Sequence, residues 1–165
     1  MKTVPKKKIQ KTNAIRIVEQ HMIAYTEREY EWHDGHVDAV TAANNLGIDV
    51  STVFKTLLTV GNKTGPVVAV IPGNQELDLK ALAKVSGNKK MEMLPLKDLE
   101  QTTGYIRGGC SPVGMKKLFP TYIDQQALEK GTIHVSAGKR GLQMGIAAND
   151  LAGLVKGQFV PIVAE

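Results

Sequence analysis

Residues 103–114 hold the densest group of residues that could build a ligand site. The segment contains four glycines, a proline, a serine and the single cysteine of the chain, Cys110. Adjacent glycines such as Gly108 and Gly109 leave backbone N–H groups uncovered, so these groups can approach a ligand closely. Gly/Pro clusters also form structural turns in most folds. On composition alone a turn is the more common outcome, and a ligand-binding loop is the alternative.

Cys110 and the histidines are the other residues with evident chemical capacity. A cysteine with a histidine base, here His134, can act as a thiol nucleophile, but nothing in the local sequence predicts an activated Cys110 thiolate. His33 and His36 form the closely spaced histidine pair. Without a matching set of cysteines and carboxylates they do not predict a zinc site, and the glycine spacing fails the dinucleotide fingerprint. We therefore predict no metal and no cofactor.

Lys55 is a charged residue inside an apolar, β-rich stretch, residues 53–60. On strand alternation Lys55 shares a face with Val53 and Leu57, which carries a lysine towards a core or a cleft. Lysines also occur on edge strands, where they discourage aggregation. A functional lysine and an edge-strand lysine both remain open at this point.

Basic residues exceed acidic ones by 21 to 16, giving a net charge of +5. Such a chain attracts polyanions without identifying one. If the basic clusters converge in the fold they form a phosphate-facing surface, and otherwise each is a separate solvated face. Ser136 beside Lys139 and Arg140 could likewise bind phosphate or form a polar hairpin. The clusters are Lys6-Lys7-Lys8 with Lys11, Lys89-Lys90, Lys116-Lys117 and Lys139-Arg140.

Length and composition predict one ordinary globular domain. The chain has 165 residues, of which 42% are hydrophobic and 22% are charged, and it shows no apolar run long enough to span a membrane. A single cysteine excludes an internal disulfide and fits a reducing compartment. With no signal peptide visible, we expect a cytosolic protein.

The elements that must position these residues are short helices and hairpin strands. Apolar spacing predicts helices at 12–23, 37–46 (ended by Gly47), 77–86, 95–101 and 151–155 (capped by Asn149 or Asp150). Strands are predicted at 24–33, 53–60, 66–72, 91–94, 121–124, 132–136, 142–146 and 159–163. This order predicts a single α+β domain, residues 12–165, with a mixed, largely antiparallel, barrel-like sheet. Residues 1–11 are predicted to form a flexible basic arm.

Four motifs occur in the order and spacing of one known family, and the match runs from the first helix to the last strand. In this combination the chain resembles the YbaK/EbsC family, whose characterised members are Cys-tRNA(Pro) deacylases related to the editing domain of bacterial prolyl-tRNA synthetases. The motifs are Val53-Phe54-Lys55-Thr56-Leu57-Leu58, Leu77-Asp78-Leu79-Lys80, Thr103-Gly104-Tyr105 running into residues 108–114, and Val135-Ser136-Ala137-Gly138-Lys139-Arg140-Gly141-Leu142.

The resemblance implies an editing-domain fold that removes a mischarged amino acid, cysteine in the first instance, from tRNA(Pro). Lys55 would hold the tRNA terminus or the ester by charge, with Thr56 beside it. Tyr30 would line the aminoacyl pocket, the backbone of Gly108 would face the ester, and Ser136 would lie in the turn next to it.

In the cysteine-specific members the substrate's own thiol is thought to attack the ester and release a cyclic thiolactone. The protein then needs to orient the ester and stabilise its oxyanion, for which the N–H groups of Gly108 and Gly109 are suitable donors. Ser111 and Pro112 would complete the substrate-binding loop. This chemistry would make the enzyme a lyase rather than a hydrolase, and it agrees with the lack of a Ser-His-Asp or Cys-His pattern.

Gln143 departs from the pattern, because cysteine-specific relatives carry an aspartate there. A neutral amide cannot pair with the substrate's α-ammonium as a carboxylate would. Ala137 also replaces the glycine after Ser136. A deacylase for alanine or another small amino acid therefore stays open, as does a non-catalytic tRNA- or synthetase-binding module.

The resemblance also implies partners. These are aminoacyl-tRNA(Pro) and prolyl-tRNA synthetase, with no membrane, for a protein expected to be a monomer or a weak dimer. The tRNA would be contacted by Lys116, Lys117, Lys139 and Arg140.

Overall fold

The computed structural model describes residues 11–30, 43–44 and 47–165. Most of the predicted basic arm, the larger part of the predicted 37–46 helix, and His33 and His36 lie outside these residues. Gly47, which does lie within them, has the positive φ of +69° expected of a residue that ends a helix. No helix of the described ranges is both long and apolar enough to cross a bilayer.

The helices of the described residues are short. They are α1 (Asn13–Gln20), α2 (Leu79–Ser86), α3 (Leu99–Thr103), α4 (Gln126–Lys130) and α5 (Ala148–Val155), with 3-10 turns at Val50–Thr52 and Leu96–Asp98. The strands are β1 (Tyr25–Glu29), β2 (Phe54–Gly61), β3 (Gly65–Pro72), β4 (Met91–Met93), β5 (Thr121–Asp124), β6 (Thr132–Lys139), β7 (Leu142–Ala147) and β8 (Gln158–Val160).

The strands form two sheets. A three-stranded antiparallel sheet has the order β1-β7-β6, and a five-stranded sheet has the order β4-β2-β3-β5-β8. In the second sheet β4, β2 and β3 run antiparallel, whereas β3, β5 and β8 run parallel. The prediction of a mixed, largely antiparallel α+β domain is confirmed.

The barrel-like closure that we expected is not found among the described strands. The two sheets meet at one isolated parallel bridge among the described residues, between Val53, the residue before β2, and His134 in β6. A barrel needs a continuous ladder around the whole circle, and one bridge does not supply it. The architecture is therefore two open sheets that share a seam.

Two apolar clusters hold the sheets and helices together. The larger one packs α1 against one face of both sheets, with Ile15, Phe54 and Met144 among its fully or nearly fully buried members. The smaller one packs α2 against the opposite face of the five-stranded sheet, with Ile71 and Leu82 at its centre. The three-stranded sheet therefore has one apolar face and one face free to carry polar residues.

Several local predictions are wrong. Met22 lies inside the predicted 12–23 helix, but it follows α1 with a φ of 56° and is 88% exposed. Val85 of α2 is also exposed. Helix α5 begins at Ala148 without a side-chain cap. Its first N–H is instead satisfied by the Gly131 carbonyl at 2.7 Å, so Asn149 and Asp150 do not cap it.

Candidate functional site

The seam between the sheets positions Lys55. Val53 pairs in parallel with His134, and paired residues of parallel strands point to the same face. Continuing this register by two residues sets Lys55 of β2 beside Ser136 of β6. On its other side Lys55 pairs with Ile71 of β3. Lys55 is half-buried, with β3 on one side and the bridge to β6 two residues before it on the other, which argues against an edge-strand role.

The same row continues across the three-stranded sheet. Ser136 pairs with Gln143 of β7, and Gln143 pairs with Arg28 of β1. The backbone N–H of Tyr30 donates to the Gly141 carbonyl at 2.9 Å, which extends β1 by one residue. By alternation Tyr30 then shares the face of Arg28. The register therefore brings the predicted residues Tyr30, Lys55, Ser136 and Gln143 to one face, which we call the polar face.

A second row confirms which way this face points. Gly145 of β7 lies between Thr26 of β1 and His134 of β6. A Cβ on Gly145 would lie 2.6 Å from the Thr26 hydroxyl oxygen and 3.1 Å from the His134 ring. These two side chains therefore cover Gly145 on the polar face, while Met144 and Ile146 are buried on the other face.

Gln143 carries an unpaired buried acceptor. The residue is 6% exposed, and its Oε1 atom is buried without a hydrogen-bond partner among the described residues. Leaving a buried polar atom unpaired costs about 1–3 kcal/mol. A donor that reached this oxygen would remove that cost, and Gln143 lies on the same row as Lys55 and Ser136.

His134 and Tyr30 are tuned by their surroundings on the polar face. Burial, and after it the positive charge of Arg28, lower the pKa of His134, so its imidazole is neutral at pH 7. The Thr52 hydroxyl oxygen lies 3.1 Å from His134 Nδ1 and orients the ring. Burial raises the pKa of Tyr30, which keeps its phenol protonated. Both side chains therefore offer neutral hydrogen-bonding groups.

Thr56 does not lie beside Lys55 on this face. It shares the opposite face of β2 with Phe54 and Leu58, which belong to the larger apolar cluster. Its hydroxyl oxygen is buried and has no hydrogen-bond partner in the part of the chain that the structure describes. The predicted role of Thr56 in substrate binding stays a prediction, and the geometry does not bring it to the Lys55 row.

The glycine loop, residues 104–109, lies on the turn between β6 and β7. A Cβ on Gly109 would lie 2.8 Å from Lys139 Cα, so the two backbones are in direct contact. Lys139 is three residues beyond Ser136, about 10 Å along a strand. The loop is thereby placed at the end of the polar face. Gly108 has a φ of +85°, which a glycine adopts without strain.

The two adjacent glycines differ in what their N–H groups do. The Gly109 N–H donates to the Ile106 carbonyl at 2.9 Å, so it is already engaged in a turn. The Gly108 N–H makes no hydrogen bond to any residue in ranges 11–30, 43–44 and 47–165. Of the two predicted oxyanion donors, Gly108 is therefore the one whose N–H is available. Gly109 has no side chain, which lets its backbone contact that of Lys139.

Ser111 and Pro112 lie beneath the loop. Both are buried, and the Ser111 hydroxyl accepts the Val113 N–H at 3.2 Å. The Tyr105 hydroxyl donates to the Val113 carbonyl at 2.6 Å, which fixes the chain on the same core. Their predicted contact with substrate stays a prediction, and in this structure both residues support the loop from inside.

Cys110 is also part of the packing. It is 8% exposed and lies in the larger apolar cluster, and burial raises the pKa of its thiol to about 12. A thiol with such a pKa supplies almost no thiolate at pH 7. This agrees with the expectation that Cys110 is not a nucleophile. Among the described residues no group of histidines, cysteines and carboxylates could hold a metal.

The basic clusters converge in part. Lys139 and Arg140 meet Arg107 at the glycine loop, where Arg140 Nε donates to the Arg107 carbonyl at 2.8 Å. The stem of Lys116 packs beside Gly104, its Nζ donates to the Gln101 carbonyl, and Lys117 is exposed next to it.

One cluster lies elsewhere. The Lys89 and Lys90 N–H groups donate to the side chain of Asn62. They therefore lie at the far end of β2 from Lys55 and form a separate solvated face.

Three residues of the candidate site were not predicted from the sequence. Arg28 and Thr26 belong to the polar face only through pairing with β7, a contact between residues more than 100 positions apart. The two-residue period of strand β1 could have indicated both, since they precede Tyr30 by two and four residues and so share its face. Arg107 lay inside the glycine stretch but was not singled out.

Comparison with known proteins identifies the family of the chain. Residues 33–154 match the family of the aminoacyl-tRNA editing domain. The chain is 62% identical over 160 residues, 97% of its length and 98% of the relative's, to EbsC of Enterococcus faecalis, which is proposed to be a Cys-tRNA(Pro)/Cys-tRNA(Cys) deacylase. It is 29% identical over 99 residues to a proline–tRNA ligase of Streptomyces avermitilis, covering 59% of this chain and 17% of the ligase.

A solved structure described as that of a proposed trans-editing enzyme for prolyl-tRNA synthetase has the same fold. Its TM-score is 0.80 at 21% identity, and the match covers 95% of this chain and 100% of the other. The family model, the near full-length relative and the fold point to the same group of proteins. The chain belongs to the YbaK/EbsC family of aminoacyl-tRNA editing domains.

Proposed function

We propose that this protein is a trans-editing aminoacyl-tRNA deacylase that removes cysteine from tRNA(Pro). One observation carries the proposal: Tyr30, Lys55, Ser136 and Gln143, from four strands, meet on the polar face at whose end the glycine loop lies. The identity to EbsC along almost the whole chain supports the same activity.

Lys55 acts as the electrostatic anchor. Lys55 is half-buried in the sheet, and at a partly buried position a charge acts on a phosphate or an ester oxygen more strongly than it does in bulk water. The Gly108 N–H stabilises the negative charge that develops on the ester carbonyl oxygen. Ser136 and the Tyr30 phenol orient the aminoacyl group by neutral hydrogen bonds.

Substrate-assisted cleavage needs no nucleophile from the protein. The thiol sulfur of the cysteinyl ester attacks its own carbonyl carbon, and the bond from that carbon to the ribose oxygen breaks. The thiol proton passes to the leaving ribose oxygen, so the products are a four-membered cyclic thiolactone and free tRNA. Burial of Cys110 supports this route over a protein thiol, and it makes the reaction a lyase type rather than a hydrolysis.

Gln143 favours a second candidate specificity. Its Oε1 can accept a hydrogen bond from the substrate's α-ammonium, but without the full charge of a carboxylate. A neutral acceptor fixes the orientation of the substrate's α-ammonium less strongly than a carboxylate does. Alanine or another small amino acid is therefore an alternative substrate, and water would cleave its ester.

The charged surface beside the site would hold the tRNA. We assign the phosphate contacts to Lys139, Lys116 and Lys117 at the glycine-loop end, with Arg140 close by. The partners would be aminoacyl-tRNA(Pro) in the cytoplasm and prolyl-tRNA synthetase. The protein would act as a monomer or a weak dimer.

One panel tests the activity. The protein is incubated with tRNA(Pro) charged separately with cysteine, alanine and proline, and loss of the ester is followed over time. We expect cysteine to be released fastest, with the thiolactone identified by mass spectrometry. Binding of all three without ester loss would establish the non-catalytic module instead.

Lys55→Ala is the decisive variant. We expect turnover to fall at least about 100-fold, because one preorganised electrostatic contact is worth that much, with the melting temperature maintained. Lys84→Ala, at an exposed lysine of α2, is the charge-matched control and should behave as wild type. Near-normal turnover of Lys55→Ala would overturn the assignment.

A further inference from the structure

The side chain of Arg140 lies across the tip of the glycine loop. Its Nε donates to the Arg107 carbonyl at 2.8 Å. A Cβ on Gly108 would lie 3.3 Å from Arg140 Cγ and 3.4 Å from its Nε. The arginine stem therefore covers Gly108, the residue whose N–H is available to a ligand.

The tip of the loop has little else to hold it. Ile106, Arg107 and Gly108 are exposed. Within the ranges that the structure describes, the bond from Arg140 is the hydrogen bond that ties these three residues to another part of the chain. The next residue, Gly109, bonds back to Ile106, which shapes the turn without anchoring it.

The backbone that carries Arg140 is coupled to Ser136. The pairing of β6 with β7 shifts register between Ser136 and Lys139, and within this bulge the Gly138 N–H donates to the Ser136 hydroxyl at 3.3 Å. Gly109 rests on the next residue, Lys139. Bulges of this kind re-aim side chains next to active sites, and this one sets the position of Arg140 relative to the polar face.

We propose that Arg140 is a positioning residue for the deacylation, holding the Arg107 carbonyl so that the adjacent Gly108 N–H stays where it meets the ester oxyanion. This role rests on the proposed function, and it replaces the tRNA contact that the sequence analysis assigned to Arg140. An arginine suits it because the guanidinium stays charged and offers Nε as a donor close to the stem. A lysine at position 140 would keep the positive charge but would have no N–H donor close to the stem.

Arg140→Lys therefore separates positioning from charge. We expect its kcat with Cys-tRNA(Pro) to fall about tenfold, since small displacements of a catalytic group have effects of this order, while KM stays within about twofold. Lys139→Gln, which removes a charge from the neighbouring exposed residue, should instead raise KM and retain kcat. An Arg140→Lys variant with raised KM and wild-type kcat would show that Arg140 is a tRNA contact and would overturn the proposal.

A measurement on the free protein tests the loop without any turnover. The heteronuclear NOE of the Gly108 amide should be high in the wild type and should fall in Arg140→Lys, which reports faster motion of the tip. In the wild type the Arg140 Nε–H should also exchange slowly with water, because it is hydrogen-bonded. An unchanged Gly108 NOE in the folded variant would overturn the proposal. A rapidly exchanging Arg140 Nε–H in the wild type would overturn it as well, and this measurement needs no variant.

The two proposals can fail separately. If the wild type releases no amino acid from any charged tRNA, the proposed function is wrong, and the NMR result still decides whether Arg140 fixes the loop. If the wild type is active and Arg140→Lys has the wild-type kcat and KM, the deacylase assignment stands and the positioning role is wrong.

Discussion

Replacing Gly109 by alanine should lower both stability and turnover. A Cβ at this position would lie 2.8 Å from Lys139 Cα and 2.9 Å from both the Lys139 carbonyl carbon and the Arg140 nitrogen. Carbon atoms in contact are normally about 3.5–4.0 Å apart. All three neighbours are backbone atoms next to the β6–β7 pair Lys139 and Leu142, so the loop must move by about 1 Å.

The size of the effect follows from this displacement. Forcing an additional methyl group into a packed contact costs about 1–3 kcal/mol. For a chain of this length, 2 kcal/mol lowers the melting temperature by about 4–8 °C. A displacement of about 1 Å at Gly108 should also reduce kcat by about 10- to 100-fold.

Gly153→Ala is the matched control for this substitution. Gly153 lies in α5 and a Cβ there would meet no atom within 4 Å. Alanine should therefore stabilise the helix by about 0.5–1 kcal/mol and leave turnover as it is. Thermal unfolding and single-turnover deacylation of both variants measure the difference. A Gly109→Ala protein with wild-type melting temperature and kcat would refute the contact between the loop and the β6–β7 turn.

Three further substitutions test the core and the site. Cys110→Ala should cost about 1 kcal/mol of stability and keep most of the activity; a large loss of kcat at normal stability would revive the thiol nucleophile. Gln143→Asp should lower KM for Cys-tRNA(Pro) about fivefold, the gain from a charge-assisted hydrogen bond. The same change should leave KM for N-acetyl-Cys-tRNA(Pro), which lacks the ammonium, unaltered, and an equal shift for both would contradict this role. Asn88→Ala should lower stability by about 2–3 kcal/mol, because the Asn88 Oδ1 accepts the Lys63 and Thr64 N–H groups; denaturant unfolding measures this, and an unchanged midpoint would show that these bonds contribute nothing.

Local chemistry made several elements predictable. Thr12 caps α1 through its hydroxyl, which accepts the Ile15 N–H at 3.2 Å, and the Gly61–Gly65 connection closes the β2–β3 hairpin. These outcomes depend on side chains within a few residues of each other. The first turn of α5 was not predictable in this way, because its N–H is satisfied by Gly131, which lies 17 residues earlier in the printed sequence.

The sequence predicted the candidate site as a set of residues, and it did not predict how they are arranged. Lys55 stood out as a charge on an apolar strand, and the resemblance to a family supplied Tyr30, Ser136 and Gln143. The alternation of β2 also predicts that Thr56 faces away from Lys55, since adjacent strand residues point to opposite faces. The resemblance instead implied that the two residues act side by side.

The fold class followed from the order of helices and strands in the sequence, which also predicted the candidate site residues. The tertiary structure was needed to show that Tyr30, Lys55, Ser136 and Gln143 share one face, that the Gly109 amide is engaged in a turn, and that Arg140 Nε bonds the Arg107 carbonyl. The physical reason is that strand register and the crossing of the loop over the β6–β7 turn depend on how buried faces pack. Residues far apart in the sequence make those faces.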